Sequence, residues 1–131
     1  MPVLDASAAV ELLIGSEVGR QLRRRLRGIA PVDAPHLIDF ETASALRRLV
    51  GRGLLEPQRA AQALADLARL SLERYPAEGL LSRMWELRAT HTAYDAAYVA
   101  LAELLAEPLL TTDGRLFRSQ GHGAEIELFA P

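Results

Sequence analysis

Residues 2–14 read Pro2-Val3-Leu4-Asp5-Ala6-Ser7-Ala8-Ala9-Val10-Glu11-Leu12-Leu13-Ile14. A short apolar run stops at a carboxylate, and apolar residues then recur at helical spacing through Val10, Leu13 and Ile14 until Gly15. The stretch predicts a buried strand, Pro2–Asp5, running directly into a helix, Ala6–Ile14. A strand that passes straight into a helix is the opening half of a strand–helix–strand unit, and it sets the expectation for the rest of the chain.

The downstream sequence keeps that alternation. Ser16–Arg27 predicts a second helix, with Val18, Leu22 and Leu26 on one face, closed by Gly28. Ile29–Val32 predicts a second strand. Pro35–Gly51 predicts a helix whose apolar stripe is Phe40, Ala43, Leu46 and Val50. Glu56–Leu70 predicts another, with Pro57 in its first turn. Ser71–Tyr75 predicts a strand, and Leu80, Leu81, Met84 and Trp85 mark a helix. Tyr94–Ala106 is almost wholly apolar and predicts a buried helix. Leu109–Thr112 predicts a strand that again stops at a carboxylate, Asp113, and Ile126–Phe129 a last strand. Strands alternating with helices argue for an α/β fold with a parallel sheet covered on both faces. The 131 residues suit one domain, 1–131, with no internal repeat or linker.

Composition removes several chemistries. The chain has no cysteine, so disulfides, thiolate zinc sites and a cysteine nucleophile are excluded. His36, His91 and His122 show no paired ligand spacing, no Ser/His/Asp triad is evident, and Gly51-Arg52-Gly53 lacks the pattern of a phosphate loop. Residues 1–5 do not resemble a signal peptide, and no apolar stretch is long enough to span a bilayer, so a cytoplasmic protein without membrane contact is expected. Net charge is −2, yet all 15 basic residues are arginine. Arginine's planar fork suits phosphate oxygens. Arg20, Arg24 and Arg27 lie near one another on the predicted second helix. They form either a solvated face or a phosphate track, and Arg115 is the best single candidate to touch a scissile phosphate.

Four acids stand at informative places: Asp5 after the first strand, Asp113 after the fourth, Asp95 at the start of the buried helix, and Glu41 within the third helix. Each has an ordinary alternative, since Asp5 and Asp113 suit helix N-caps, Thr92 and Asp95 fit a capping box, and Glu41 suits a solvated face. Three of the four, however, fall on the rim where open parallel sheets bind ligands. Clustered carboxylates repel unless one is protonated or a cation binds. Hard oxygen ligands favour Mg²⁺ or Mn²⁺, and one or two such ions suit phosphodiester hydrolysis. Asp39 sits too far round the helix to share a pocket with Glu41. Asp33 and Asp66 read as solvated.

Leu4-Asp5-Ala6-Ser7-Ala8, the Glu41 helix, Tyr94-Asp95-Ala96-Ala97-Tyr98 and Leu110-Thr111-Thr112-Asp113-Gly114-Arg115-Leu116 together resemble the PIN domain, and the size is most similar to VapC-type toxins of bacterial toxin–antitoxin pairs. The resemblance implies a three-layer α/β/α sandwich with a mainly parallel five-stranded sheet. It implies a Mg²⁺-dependent endoribonuclease (Mn²⁺ as the other candidate) that cuts loops of structured RNA such as tRNA or rRNA through metal-activated water. By that resemblance Asp5 and Asp95 are the principal metal ligands, Asp113 completes the site, and Glu41 holds or orients a metal-bound water. Ser7 and Thr112 match positions whose hydroxyls support the site. A homodimer and a VapB-type antitoxin partner are also implied, and Met84 with Trp85 is either an interface patch or core. The other readings are a PIN-like RNA- or protein-binding module without turnover, and a PIN nuclease of RNA processing.

Overall fold

The computed structural model describes residues 1–131. The strands are β1 (Val3–Leu4), β2 (Val32–Pro35), β3 (Leu72–Tyr75), β4 (Leu109–Thr111) and β5 (Ile126–Leu128). The helices are α1 (Ala6–Ile14), α2 (Glu17–Arg25), α3 (Leu37–Gly51), α4 (Pro57–Arg69), α5 (Leu81–Glu86), α6 (Ala93–Leu105) and α7 (Gly114–Phe117), with a 3₁₀ turn at Ala77–Leu80 before α5. The strands form one sheet in the order β3-β2-β1-β4-β5, and every pairing in it is parallel. Helices cover both faces, α1 packing on α2, α3 and α4, and α6 on α5 and the central strands. This is a three-layer α/β/α sandwich.

The strand order places a topological switch between β1 and β4. The chain winds outward through β2 and β3, then crosses α6 to resume on the other side of β1. At such a point the loops leaving two neighbouring strands diverge and open a crevice at their carboxyl ends. Asp5 directly follows β1, and Asp113 lies two residues beyond the end of β4.

Burial explains the central elements. Val3 and Leu4 of β1 and Leu109 and Leu110 of β4 are fully buried, together with Ala96, Val99 and Leu101 of α6. A continuous apolar run with no polar face is what a strand covered on both sides requires. A second cluster of Val10, Leu13, Leu46, Ala60, Ala63 and Leu67 joins α1, α3 and α4.

The second strand departs from expectation: it lies at Val32–Pro35, three residues beyond Ile29–Val32. Val32 donates its N–H to Ser71 and Asp33 donates to Pro2, so both neighbouring strands fix this register. The polar Asp33 disguised the strand. Asp33 is not solvated: it is 2% exposed and accepts a hydrogen bond from the Tyr75 hydroxyl at 3.3 Å. Asp66 remains at the surface, accepting from Gln62. In α3 the buried residues are Ile38, Thr42 and Leu46, and Phe40, expected in the apolar stripe, is 74% exposed. The short helix α7 bears out the N-cap alternative for Asp113, which opens it by accepting hydrogen bonds from the N–H groups of Arg115 and Leu116.

Candidate active site

Asp5, Glu41, Asp95 and Asp113 line a single cleft of about 520 Å³. Four elements deliver them: the ends of β1 and β4, the second turn of α3 and the first turn of α6. The helix-cap alternatives hold at the same time. Asp5 caps α1 by accepting from the Ala8 N–H at 2.9 Å, and Thr92 caps α6 by accepting from the Asp95 N–H at 3.1 Å. The cap at Asp5 uses a carboxylate oxygen and fixes the side chain, and the cap at Asp95 uses only its backbone N–H, so neither competes with a role in the cleft.

Asp5 is the most enclosed of the four, at 5% exposure. Its Oδ1 accepts from the Ser7 hydroxyl at 2.7 Å, and its Oδ2 accepts from the Thr111 hydroxyl at 2.5 Å. The Thr111 Oγ1 in turn accepts from the Asp113 N–H at 3.0 Å. One hydroxyl therefore ties the ends of β1 and β4 together. Ser7 stands where the sequence placed it, beside Asp5. Thr112 contributes its backbone N–H, which donates to Ser7 Oγ at 3.0 Å, and the threonine hydroxyl on Asp5 is that of Thr111. Thr111 was missed because strand alternation is unreadable in a strand of three residues.

Burial pushes the Asp5 carboxyl up to about 6, against hydrogen bonds that lower it, and Asp113 adds a repulsive charge. Burial raises Glu41 as well, with Asp95 contributing in the same direction. The Tyr98 hydroxyl is buried without a hydrogen-bond partner. Its acidity is suppressed by burial and by the neighbouring Glu41 and Asp5 charges. Asp95 and Asp113 share one cation: Arg115 Nη2 lies 2.8 Å from Asp95 Oδ2 and 3.3 Å from Asp113 Oδ2.

This donor set suits a hard divalent ion. It is all oxygen, it carries more negative charge than its one paired guanidinium balances, and a buried hydroxyl in its wall lacks a partner. No three of the acids converge on one point as a closed protein cage would require. An ion such as Mg²⁺ that keeps most of its waters needs only one or two carboxylates.

Arg48, Phe40 and Tyr94 also line the cleft, and the two aromatics are 74% and 59% exposed. Arg48 follows Glu41 by seven residues, two helical turns, so both face the same way. Arg20, Arg24 and Arg27 do not line it. Arg27 instead borders a second cavity of about 510 Å³ with Arg23, Arg20 donates to the Gly15 carbonyl, and Arg25 of the same run pairs with Glu127. Asp39 faces away from the cleft and meets both donors of Arg74 at 2.8 Å.

The PIN domain family matches residues 3–121 of the chain. Ribonuclease VapC12 of Mycobacterium tuberculosis is 47% identical over 130 residues, which is 99% of this chain and 100% of that protein. Ribonuclease VapC1 of the same organism is 42% identical over 127 residues, 96% of each. The crystal structure of PAE2754 from Pyrobaculum aerophilum aligns with a TM-score of 0.65 at 26% identity, covering 96% of this chain and 92% of that one. VapBC2 from Rickettsia felis, solved bound to a DNA fragment from its promoter, aligns with a TM-score of 0.69 at 12% identity over 98% of both chains. At that identity the likeness is one of fold.

Proposed function

Because the chain belongs to the PIN-domain family, with close relatives among the VapC ribonucleases, we propose that it is the toxin ribonuclease of a toxin–antitoxin pair and hydrolyses RNA phosphodiesters with Mg²⁺ or Mn²⁺. The observation that carries the reading is the convergence of Asp5, Glu41, Asp95 and Asp113 on one cleft at the switch point of the sheet. A divalent ion held there supplies positive charge for the phosphate oxygens and lowers the pKa of water.

The residues divide the remaining work. Asp5 and Asp95 would be the principal ligands, with Asp113 completing the set partly through water. Ser7, Thr111 and the Ala8 N–H hold Asp5 in one rotamer. Glu41, with its raised pKa, orients water and takes up a proton at its carboxylate. The Tyr98 hydroxyl, buried without a hydrogen-bond partner, is free to donate into the same region. Phe40 and Tyr94 at the mouth offer π-faces to unstacked bases of a single-stranded loop in tRNA or rRNA. Arg48 supplies local positive charge in a chain whose net charge is −2.

The partner expected for such a toxin is a VapB-type antitoxin, and the named complex from Rickettsia felis supports that expectation. A homodimer is proposed on the exposed apolar residues of α5, where Trp85 is 68% and Leu81 55% exposed, with Arg88 over the Trp85 ring at 4.5 Å. No helix is long and apolar enough to cross a membrane.

The test is cleavage of total RNA by the purified chain with Mg²⁺, with Mn²⁺ and with EDTA, beside Asp5→Asn and Asp95→Asn. Cleavage that survives EDTA, or an Asp95→Asn protein that cuts at the parental rate, would overturn the assignment.

A further inference from the structure

Arg115 is paired unlike other arginines of this molecule. Arg25, Arg74 and Arg83 each present two nitrogens, Nε and Nη2, to both oxygens of one carboxylate, at 2.7–2.9 Å. Arg115 instead places one nitrogen, Nη2, between oxygens of two different residues, Asp95 Oδ2 and Asp113 Oδ2. Its side chain is 65% exposed. The other oxygen of Asp113 is already engaged, since Oδ1 accepts from the Arg115 and Leu116 N–H groups. Each acid thus directs one Oδ2 at a single point, and a cationic nitrogen stands there.

We propose that Arg115 is a positioning residue that holds Asp95 and Asp113 facing one another and exchanges places with the divalent ion. The proposal rests on the metal-dependent reading above. Two carboxylates left alone would repel and turn apart. A guanidinium between them keeps both oxygens directed inward. A mostly exposed ion pair of this kind is weak, so little opposes its replacement by an ion of twice the charge that prefers carboxylate oxygen. Once that charge is present, a guanidinium at the same point is repelled, and the long exposed arm swings into solvent.

Arg48 provides the control. It lines the same cleft and acts on the Glu41 charge, but it forms no ion pair with Asp95 or Asp113. Removing Arg48 takes one positive charge from the cleft without vacating the point between the two acids.

The experiment is calorimetric titration of the purified, metal-free chain with Mn²⁺ at neutral pH, comparing the parent with R115Q and R48Q. R115Q is expected to bind Mn²⁺ about two- to fivefold more tightly than the parent, the range of one weak ion pair removed from the unbound state. R48Q is expected to change affinity clearly less. In isotope-labelled parent protein, saturating Mg²⁺ is expected to move the Arg115 side-chain NMR signal to the position of a solvent-exposed arginine. Equal or weaker binding by R115Q overturns the proposal, as does an equal gain in R48Q, which would reduce the effect to general field. An Arg115 signal that does not respond to Mg²⁺ overturns it too. If neither parent nor variants bind Mn²⁺, the metal-dependent reading fails and takes this proposal with it.

Discussion

Glu103, Glu127 and Asp39 each meet the fork of an arginine of their own, whereas Asp5, Glu41, Asp95 and Asp113 have one shared guanidinium nitrogen among them. Glu127 and Glu103 shift in the opposite direction to Asp5 and Glu41. Arg25 and Arg83 hold Glu127 and Glu103 below the usual carboxylate range, while burial drives Asp5 and Glu41 above it. The paired acids fasten elements together: Glu127 ties β5 to α2, and Glu103 ties α6 to α5 and accepts the Gly123 N–H. Asp5 and Glu41 form no ion pair, and Asp95 and Asp113 share a single, largely exposed one. A cluster whose charge is left largely unbalanced is one that a cationic ligand would offset, and the difference between the two sets of acids marks the cleft more clearly than acidity does.

The strongest way to break that contrast is to neutralise one acid from each group and compare cleavage. Asp5→Asn is expected to lower RNA cleavage on the order of 10²–10³-fold, the scale for losing charge stabilisation at a reacting centre. It should melt at or above the parent temperature in EDTA, because Asn still caps α1. Glu127→Gln is expected to leave cleavage at the parental rate. A quantitative cleavage assay beside a thermal melt decides both.

The pH dependence of metal-free stability sharpens the contrast next. Asp5 rises from 3.8 to about 6, so the native state holds that proton more tightly than the unfolded chain. Its contribution is greatest below pH about 4 and declines as pH rises to about 6, by about 3 kcal/mol at about 1.4 kcal/mol per unit. Glu103 and Glu127 have the opposite sign: their contribution is present above the unfolded carboxylate range and is lost as pH falls through their lowered folded values. Urea unfolding between pH 4 and 7 should show the Asp5 decline in the parent and its disappearance in Asp5→Asn.

A smaller effect is expected at Thr111, whose hydroxyl donates to Asp5 and accepts from the Asp113 N–H. Thr111→Val keeps the shape, leaves that N–H unpaired, and should cost about 1–3 kcal/mol, read as a lower urea midpoint. Thr111→Ser should restore most of it. If Val were neutral, water reaches the rim freely and the enclosure of Asp5 is less than its burial suggests. The smallest change belongs to the paired acids. Glu127→Gln should cost about 1 kcal/mol or less, because its partner is partly solvated, and high salt should remove most of the difference.

Some of the site was legible because its residues obey local rules. Asp5 and Asp113 end apolar runs and Asp95 follows a Thr cap, so one-dimensional pattern reading found them. Thr111 was not legible. It lies in a strand of three residues, where alternation has no length over which to show itself, and its hydroxyl matters only because β4 pairs with β1. Phe40 misled for a related reason. Periodicity shows that α3 has an apolar stripe, and Leu46 of that stripe is buried, but Ile38 and Thr42 bury in place of Phe40, which lines the cleft beside Glu41. Asp33 shows the reverse error, a polar residue taken for solvent exposure although it lies inside a central strand.

By itself the sequence determined the succession of strands and helices, the α/β class and the identity of the four acids, because turns, caps and apolar periodicity are local and act over a few residues. Tertiary structure alone decided that β1 and β4 lie side by side, which brings Asp5, Thr111 and Asp113 together across more than 100 residues of chain. It also decided that the arginine run of α2 lies away from the cleft while Arg115 and Arg48 reach it. Charge acts through space, and which charges become neighbours is set by strand order, not by distance along the chain.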